Sequence, residues 1–293
     1  MNPSAFDRRR LQFSFGRAAP AYAQAAVLQR EVETRLLEQL DYLEDRQPAR
    51  ILDVGSGPGR ASGAMKKRWP RADVIAMDLA LPMLHEVPKH TRFWRPVRRV
   101  CADAAQLPFA DASVDLVFSS LCLQWVAHLP RALDEFRRVL RADGMLVFST
   151  FGPDTLVELR EAYLAGGEQD PPLSSFAAIQ QVGDALMAAG FRNPVLDRDH
   201  YTLTYPDVRS LQQELRLIGA GDARAKRPRG LGGKQRQARM REAYEAMRRD
   251  GVLPSTWEVI GAMAWAPGPS APRRDGGAEI ASFPGDRIPL RQR

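Results

Sequence analysis

The residues best placed to do chemistry are a set of alternating glycines and the carboxylates that close neighbouring apolar runs. In Asp53-Val-Gly55-Ser-Gly57-Pro-Gly59 three glycines stand at alternate positions behind the strand-like Ile51, Leu52 and Val54. A ligand can approach bare backbone there, and φ can turn positive. Asp78 closes a second apolar run, 73–78, at the distance from the loop where nucleotide folds place a carboxylate on ribose hydroxyls. A phosphate-binding loop would need Gly-Lys-Ser/Thr, and a dinucleotide loop would need two residues between its last glycines, where this chain has only Pro58. The spacing therefore disfavours ATP and NAD.

The elements that must hold these residues alternate as in a doubly wound α/β sheet. Strands are predicted over 51–54, 73–78, 99–103, 114–121 and 145–151, with helices over 60–69 and 130–141. The exit of the fourth strand, Ser119-Ser-Leu121-Cys-Leu-Gln-Trp125, should form the floor of a site at the carboxyl edge of the sheet. Thr155 and Glu158 form a capping box for a helix to about residue 165, and 176–190 reads as another amphipathic helix. An outer strand over 195–205, a helix over 207–219, a basic glycine-punctuated loop over 224–234, a helix over 235–249 and a last strand over 255–265 follow. Ahead of the glycines, Leu28, Val32, Leu36 and Leu40 mark the apolar face of a docking helix, ended by Gln47-Pro48. The segment 12–22 before it carries Phe15 and Tyr22 and is too polar and too short for a strand of the main sheet.

The bulk properties bound the answer. A chain of 293 residues with 44% hydrophobic content can bury a full α/β core. It has no apolar run of membrane-spanning length, and its basic start has no apolar stretch behind it, so a cytoplasmic protein is expected. Cys101 and Cys122 lie in apolar runs without metal-type spacing, which predicts buried thiols and neither disulfide nor zinc. A formal charge of +7 suits an acidic partner without choosing one. His85, His90, His128 and His200 are scattered, and no nucleophile elbow or metal-type carboxylate cluster is present. That fits a reaction that needs alignment and dryness rather than a dedicated nucleophile.

The pattern Asp53-x-Gly55-x-Gly57-x-Gly59 resembles the first motif of the class I S-adenosylmethionine (SAM) methyltransferases. The resemblance implies a Rossmann-like, doubly wound seven-stranded sheet whose last strand inserts antiparallel beside the fifth. It also implies SAM as cofactor, held by Asp53, Gly55, Gly57, Gly59, Asp78, Leu79, Asp103, Ala104, Ser119 and Leu121, with Asp103 facing the adenine amine. The loop after the fourth strand lacks the Asn/Asp-Pro-Pro-Tyr/Phe sequence of enzymes that methylate exocyclic amines, so an oxygen or carboxylate acceptor is favoured. An ionised carboxylate needs no general base, only orientation, for which Arg17, Arg160, Arg209 and Arg216 are candidates.

Several segments together resemble the malonyl-[acyl-carrier protein] O-methyltransferase family, which opens pimelate assembly for biotin. They are Phe15-Gly-Arg-Ala-Ala-x-x-Tyr22 with Gln29, the glycine motif, Gln124-Trp125 with Leu129-Pro-x-Ala-Leu133, Gly230-Leu-x-Gly-Lys-Gln-Arg236, Tyr244 and Leu253-Pro-Ser-Thr-Trp-Glu-Val259. The resemblance implies esterification of the free carboxylate of a malonyl thioester, on acyl carrier protein or coenzyme A, by a monomer that engages neither nucleic acid nor membrane. Tyr22, Phe151, Trp125 and Arg160 are the candidate catalytic residues, and no metal is implied. The organisation expected is a lid segment and docking helix over 1–46, a methyltransferase domain over 47–266 with a helical insertion over 207–250, and a disordered tail over 267–293. Phe151-Gly-x-Asp-Thr-Leu156-x-Glu-Leu-Arg160 is also similar to the mitochondrial complex I assembly methyltransferase-like proteins. That branch resembles arginine hydroxylases acting on a protein subunit, and it implies a SAM-binding, protein-modifying alternative.

Overall fold

The computed structural model describes residues 7–43, 46–218, 233–268, 273–275 and 278–280. In chain order the elements are α1 (Arg8–Ala25), α2 (Val27–Glu38), β1 (Arg50–Val54), α3 (Arg60–Arg68), β2 (Asp73–Asp78), α4 (Leu81–Glu86), β3 (Arg98–Cys101) and β4 (Val114–Ser119). They continue with α5 (Leu129–Val139), β5 (Leu140–Phe151), α6 (Val157–Ala165), α7 (Ile179–Ala188), β6 (Arg192–Tyr205), α8 (Val208–Leu217), α9 (Gly233–Glu245), β7 (Leu253–Trp265), β8 (Arg273–Asp275) and β9 (Ala278–Ile280).

Seven strands form one sheet in the order β3-β2-β1-β4-β5-β7-β6. The strands from β3 to β5 run parallel, and β7 enters antiparallel between β5 and β6, as the SAM-methyltransferase resemblance implied. The period-two alternation of strand side chains divides the core in two. Leu52, Val54 and Val117 face α5 and α7, where they meet Phe136, Leu186 and Phe191. Ile51, Leu116 and Phe118 face the other side with Met65, Leu36 and Val87. Helices on both faces explain why β4 and β5 read as near-continuous apolar runs rather than alternating ones. Phe136 is fully buried in the first of these layers, and truncation there to Ala would cost about 3–5 kcal/mol. A third apolar cluster, with Phe151, Leu211, Tyr244 and Trp257, joins α6, α8 and α9 to the end of the sheet.

The structure departs from the sequence expectations in five places. Segment 12–22 is helical: it is the body of α1, capped by Asp7, whose carboxylate accepts from the Arg9 and Arg10 amides. Gly16 and Pro20 inside it disguise the helical period. α4 was not anticipated, because its six residues are too few to show a period. Thr155 and Glu158 make no capping box: α6 opens at Leu156 with φ +59°, and both side chains turn instead to β7. Thr155 Oγ1 donates to the Glu258 carbonyl, and the Glu158 carboxylate accepts from the Thr256 amide and hydroxyl. Cys101 is exposed, since β3 is an edge strand, and Cys122 is half-buried; both thiols are free. In the tail expected to be disordered, β8 and β9 pair antiparallel. Of the basic loop expected over 224–234, residues 224–232 lie outside the described residues, and Gly233 and Lys234 open α9.

Candidate active site

The carboxyl ends of β1, β2 and β4 and the exit of β3 open into a cavity of about 260 Å³. Its floor is the glycine loop. Gly55, Gly57 and Gly59 all take positive φ (+71°, +53° and +85°), but they do so for different reasons. A side chain on Gly57 would project into open space, with Tyr22 Cε1 its nearest neighbour at 4.0 Å, so this glycine keeps the floor bare. A Cβ on Gly55 would lie 2.4 Å from the Cys122 Cβ and Sγ, so that glycine lets the β4 exit close down on the loop. Gly59 faces Val87 rather than the cavity and begins α3.

Asp78 carries two jobs. Its carboxylate accepts from the Gly57 amide at 2.9 Å and from the Ala80 amide at 2.8 Å, and it also lines the cavity. Burial pushes its pKa up to about 6, against the opposing pull of the Ala80 and Gly57 amides. Asp53 does not line the cavity: it lies behind the loop, where Ser62 of α3 donates to it, and burial raises its pKa to about 8. Glu33 on α2, raised by burial to about 7, lies 2.7 Å from Arg60, an ion pair by distance whose angles leave both atoms without a hydrogen bond. Of these three carboxyl groups only Asp78 lines the cavity, and above about pH 6 its carboxylate offers an acceptor to hydroxyl donors and a partner to positive charge. That fits SAM, whose ribose offers hydroxyls and whose sulfonium is cationic.

The far wall is the β3 exit, with Asp103 and Ala104. Asp103 accepts from the Ala105 amide and pairs with Arg8 at 3.4 Å. The near wall is the β4 exit. Leu121 takes φ +45°, a conformation a branched side chain rarely adopts. It is held there because its amide donates to both the Ser149 carbonyl and the Ser149 hydroxyl, while Gln124 Nε2 donates to its carbonyl. Cys122 beside it has its pKa pushed up to about 12, chiefly by burial, so it stays a neutral thiol.

α1 forms the roof. Leu11, Phe15 and Tyr22 face down into the cavity, as does Arg8 at the rim. The helix is stitched across the opening by Gln12, which donates to the Leu79 carbonyl, by the Arg8–Asp103 pair, and by Gly16 packed on Pro82. Phe15 meets Trp125 edge-on at 5.5 Å. The Tyr22 phenol has its pKa raised well above the ordinary value, first by burial and then by Asp78 and Glu33, so it is an O–H donor at any working pH.

Of the residues named from sequence, the cavity gathers Tyr22, Trp125, Gly55, Gly57, Asp78, Leu79, Asp103, Ala104 and Leu121. Eight others stand outside its lining. Asp53 and Gly59 support the loop from behind, and Ser119 is fully buried, donating to the Val54 carbonyl to tie β4 to β1. Phe151 packs on Phe176 and Trp257 in the cluster that also holds Leu121. Arg160 donates to the Ser174 carbonyl. Arg17, Arg209 and Arg216 are exposed, so the arginines at the cavity are Arg8 and Arg131. Sequence reasoning missed these two, along with Met83 and His128, whereas Cys122 lies in the β4 exit expected to form part of the site. Arg8 could have been reached only by recognising α1 as a helix whose spacing joins it to Leu11, Phe15 and Tyr22 on one face.

Away from the cavity, Asp154, His200 and Glu258 bring ligand-type atoms within 4.8 Å of one another. The sequence predicted no metal, and protein groups already engage the trio: Glu258 accepts from the Asp154 amide and faces Arg198, and His200 meets Asp154 at 3.3 Å. Among the described residues no helix is long and apolar enough to cross a membrane.

Residues 52–148 match a family model described as a methyltransferase domain. The malonyl-[acyl-carrier protein] O-methyltransferase of Xylella fastidiosa (strain M23) is 53% identical over 289 residues, covering 98% of each chain. The protein of the same name from Gallionella capsiferriformans (strain ES-2) is 44% identical, covering 96% of this chain and 98% of its own. Among solved structures, the YcgJ protein of Bacillus subtilis superposes with a TM-score of 0.54 at 18% identity, over 80% of this chain and 99% of that one. Phosphoethanolamine N-methyltransferase 2 of Haemonchus contortus in complex with S-adenosyl-L-methionine gives 0.51 at 18%, over 80% and 52%. These two likenesses speak to the fold.

Proposed function

The chain belongs to the malonyl-[acyl-carrier protein] O-methyltransferase family, and from that premise we propose how its site esterifies the free carboxylate of a malonyl group carried on acyl carrier protein, the step that opens pimelate assembly for biotin. It is a SAM-dependent methyltransferase. The observation that carries the reading of the site is the pairing of a half-buried carboxylate, Asp78, with a bare glycine floor under an aromatic roof.

Gly55 and Gly57 would pass beneath the methionine part of SAM, Asp78 would accept from the ribose hydroxyls, and Asp103 with Ala104 would hold the adenine. SAM when bound supplies a methyl group already activated by the sulfonium. What the chain must add is alignment and the exclusion of water. The malonyl carboxylate is ionised at neutral pH, so no residue need take a proton from it. Tyr22, kept as the phenol and lying over the glycine floor, donates to that carboxylate, and Phe15 and Trp125 wall the chamber. Arg8 and Arg131 sit at the Asp103 end of the cavity, away from Tyr22 and the glycine floor, so neither is assigned to the malonyl group. Asp53, Gly59 and Ser119 hold the cradle without touching the ligand. Phe151 and Arg160 brace the far side of the wall.

The test is mass spectrometry of the protein with SAM and malonyl-loaded carrier protein. A single methyl gained on the malonyl group and lost on ester hydrolysis is the expected outcome. SAM binding without methylation of the thioester would overturn the reading and return the choice to modification of another protein.

A further inference from the structure

α1 has two faces, and the cavity uses only one of them. Arg8, Leu11, Phe15 and Tyr22 look inward. On the other side Arg9, Phe13 and Arg17 recur every four residues and form an exposed stripe along the helix. Phe13 is 67% exposed, and the Arg17 guanidinium lies 5.7 Å from its ring centroid. Of the four arginines of α1, Arg8 pairs with Asp103 and Arg10 with Asp7, while Arg9 and Arg17 flank Phe13 on the exposed stripe, which therefore sets an aromatic group between two positive charges. Aromatic and Arg side chains together are the composition of interface anchors.

We propose, resting on the carrier-protein reading above, that the outer stripe of α1 is where the acidic carrier protein docks. Charge complementarity selects the partner: the basic stripe repels a basic protein and draws an acidic one. Position selects the site. A carrier seated on α1 lies about one helix diameter, roughly 10–12 Å, from the chamber on the inner face of the same helix, so a tethered thioester can pass the edge of the roof. A second basic aromatic patch, with Phe93, Trp94, Arg92 and Arg95, precedes β3 at the amino ends of the strands. A carrier held there would present its thioester to the edge of the sheet opposite the cavity.

The experiment compares Arg9→Glu/Phe13→Ala with Arg92→Glu/Phe93→Ala, which carries the same change of net charge and serves as its control. Glu near the first turn of a helix suits the helix dipole, so α1 keeps its reason to form. Affinity for malonyl-loaded carrier protein is measured by surface plasmon resonance, and affinity for S-adenosylhomocysteine by calorimetry. The α1 variant should lose about tenfold or more in carrier affinity, with a shallower salt dependence, and keep its S-adenosylhomocysteine affinity within about twofold. The control should keep both. Unchanged carrier affinity in the α1 variant, or an equal loss in the control, overturns the proposal. A wild-type protein that methylates the carrier while the α1 variant does so equally well refutes the docking surface alone. One that binds the carrier through α1 yet does not methylate it refutes the reaction and leaves the surface standing.

Discussion

Single residues set the terms of cofactor binding. Gly57→Val would put a branched side chain into the cavity at φ +53°, and Asp78→Ala would remove both the proposed ribose acceptor and the partner of the Gly57 amide. Each should weaken SAM binding by about tenfold or more while the fold survives; unchanged calorimetric affinity in both would sink the cradle assignment. Asp78 also gives binding a pH dependence. Its pKa of about 6 in the free protein means it is protonated below that value. A ligand that needs the carboxylate must then displace a proton, so affinity should fall as pH drops through 6, approaching tenfold per unit, and be flat above 7. A profile without that break would remove Asp78 from the ribose site. Tyr22→Phe should lower kcat/KM for the malonyl thioester by about ten- to hundredfold, the range for a lost hydrogen bond to a charged group. SAM affinity should move little, and steady-state kinetics beside calorimetry separates the two. At this scale the sequence was legible where chemistry and chain position coincide: glycines after a strand, acids at strand ends. Asp53 and Ser119 have the same local pattern and face the other way, a distinction set by the strand's pleat and by Ser62 and Val54 across from them. Arg131 reaches the cavity from α5 through its hydrogen bond to the Ala105 carbonyl, a contact no local pattern reports.

At the scale of elements, a densely hydrogen-bonded joint outside the site lies between β7 and the connection from β5 to α6. Glu258 is 1% exposed; it accepts from the Asp154 amide through its carboxylate and from the Gly152 amide through its carbonyl. Glu258→Ala should cost about 2–4 kcal/mol through an unsatisfied amide and a new cavity, read from chemical denaturation, and Glu258→Gln should recover most of it. An equal loss in both would show that shape rather than the hydrogen bond matters. The sheet was legible from the sequence because buried parallel strands are continuous apolar runs and the helices between them keep a clean period. α1 was not. Its helical character depends on docking to α4 through Gly16 and to the exits of β2 and β3 through Gln12 and Arg8, none of which a local pattern can report. Thr155 and Glu158 failed for a related reason: a capping box is one use of those side chains, and a neighbouring strand offered both a better one.

Across the whole molecule the buried acids give stability a direction with pH. Asp53, Glu33 and Asp78 all have folded-state pKa values above the ordinary carboxyl range, so the folded state holds these protons more tightly than the unfolded chain. Their contribution is full below about pH 4 and is lost as pH rises through about 6 to 8. The ligand-free thermal midpoint should therefore drift down by about a few degrees between pH 5 and 8, and Asp53→Asn should flatten the drift in calorimetry; a rise over that window would contradict the burial of these groups. The sheet order has a consequence of another kind. β7 pairs along both β5 and β6, so each of those strands has an open edge until residue 265 has been made. On the ribosome, the glycine loop and its parallel strands can assemble early, while two unpartnered strand edges wait for the penultimate strand of the sheet. The hazard of misassembly during synthesis is then concentrated between the emergence of β6 and that of β7, and a pause in translation over that stretch would expose the chain where it is most prone to pair with a neighbour.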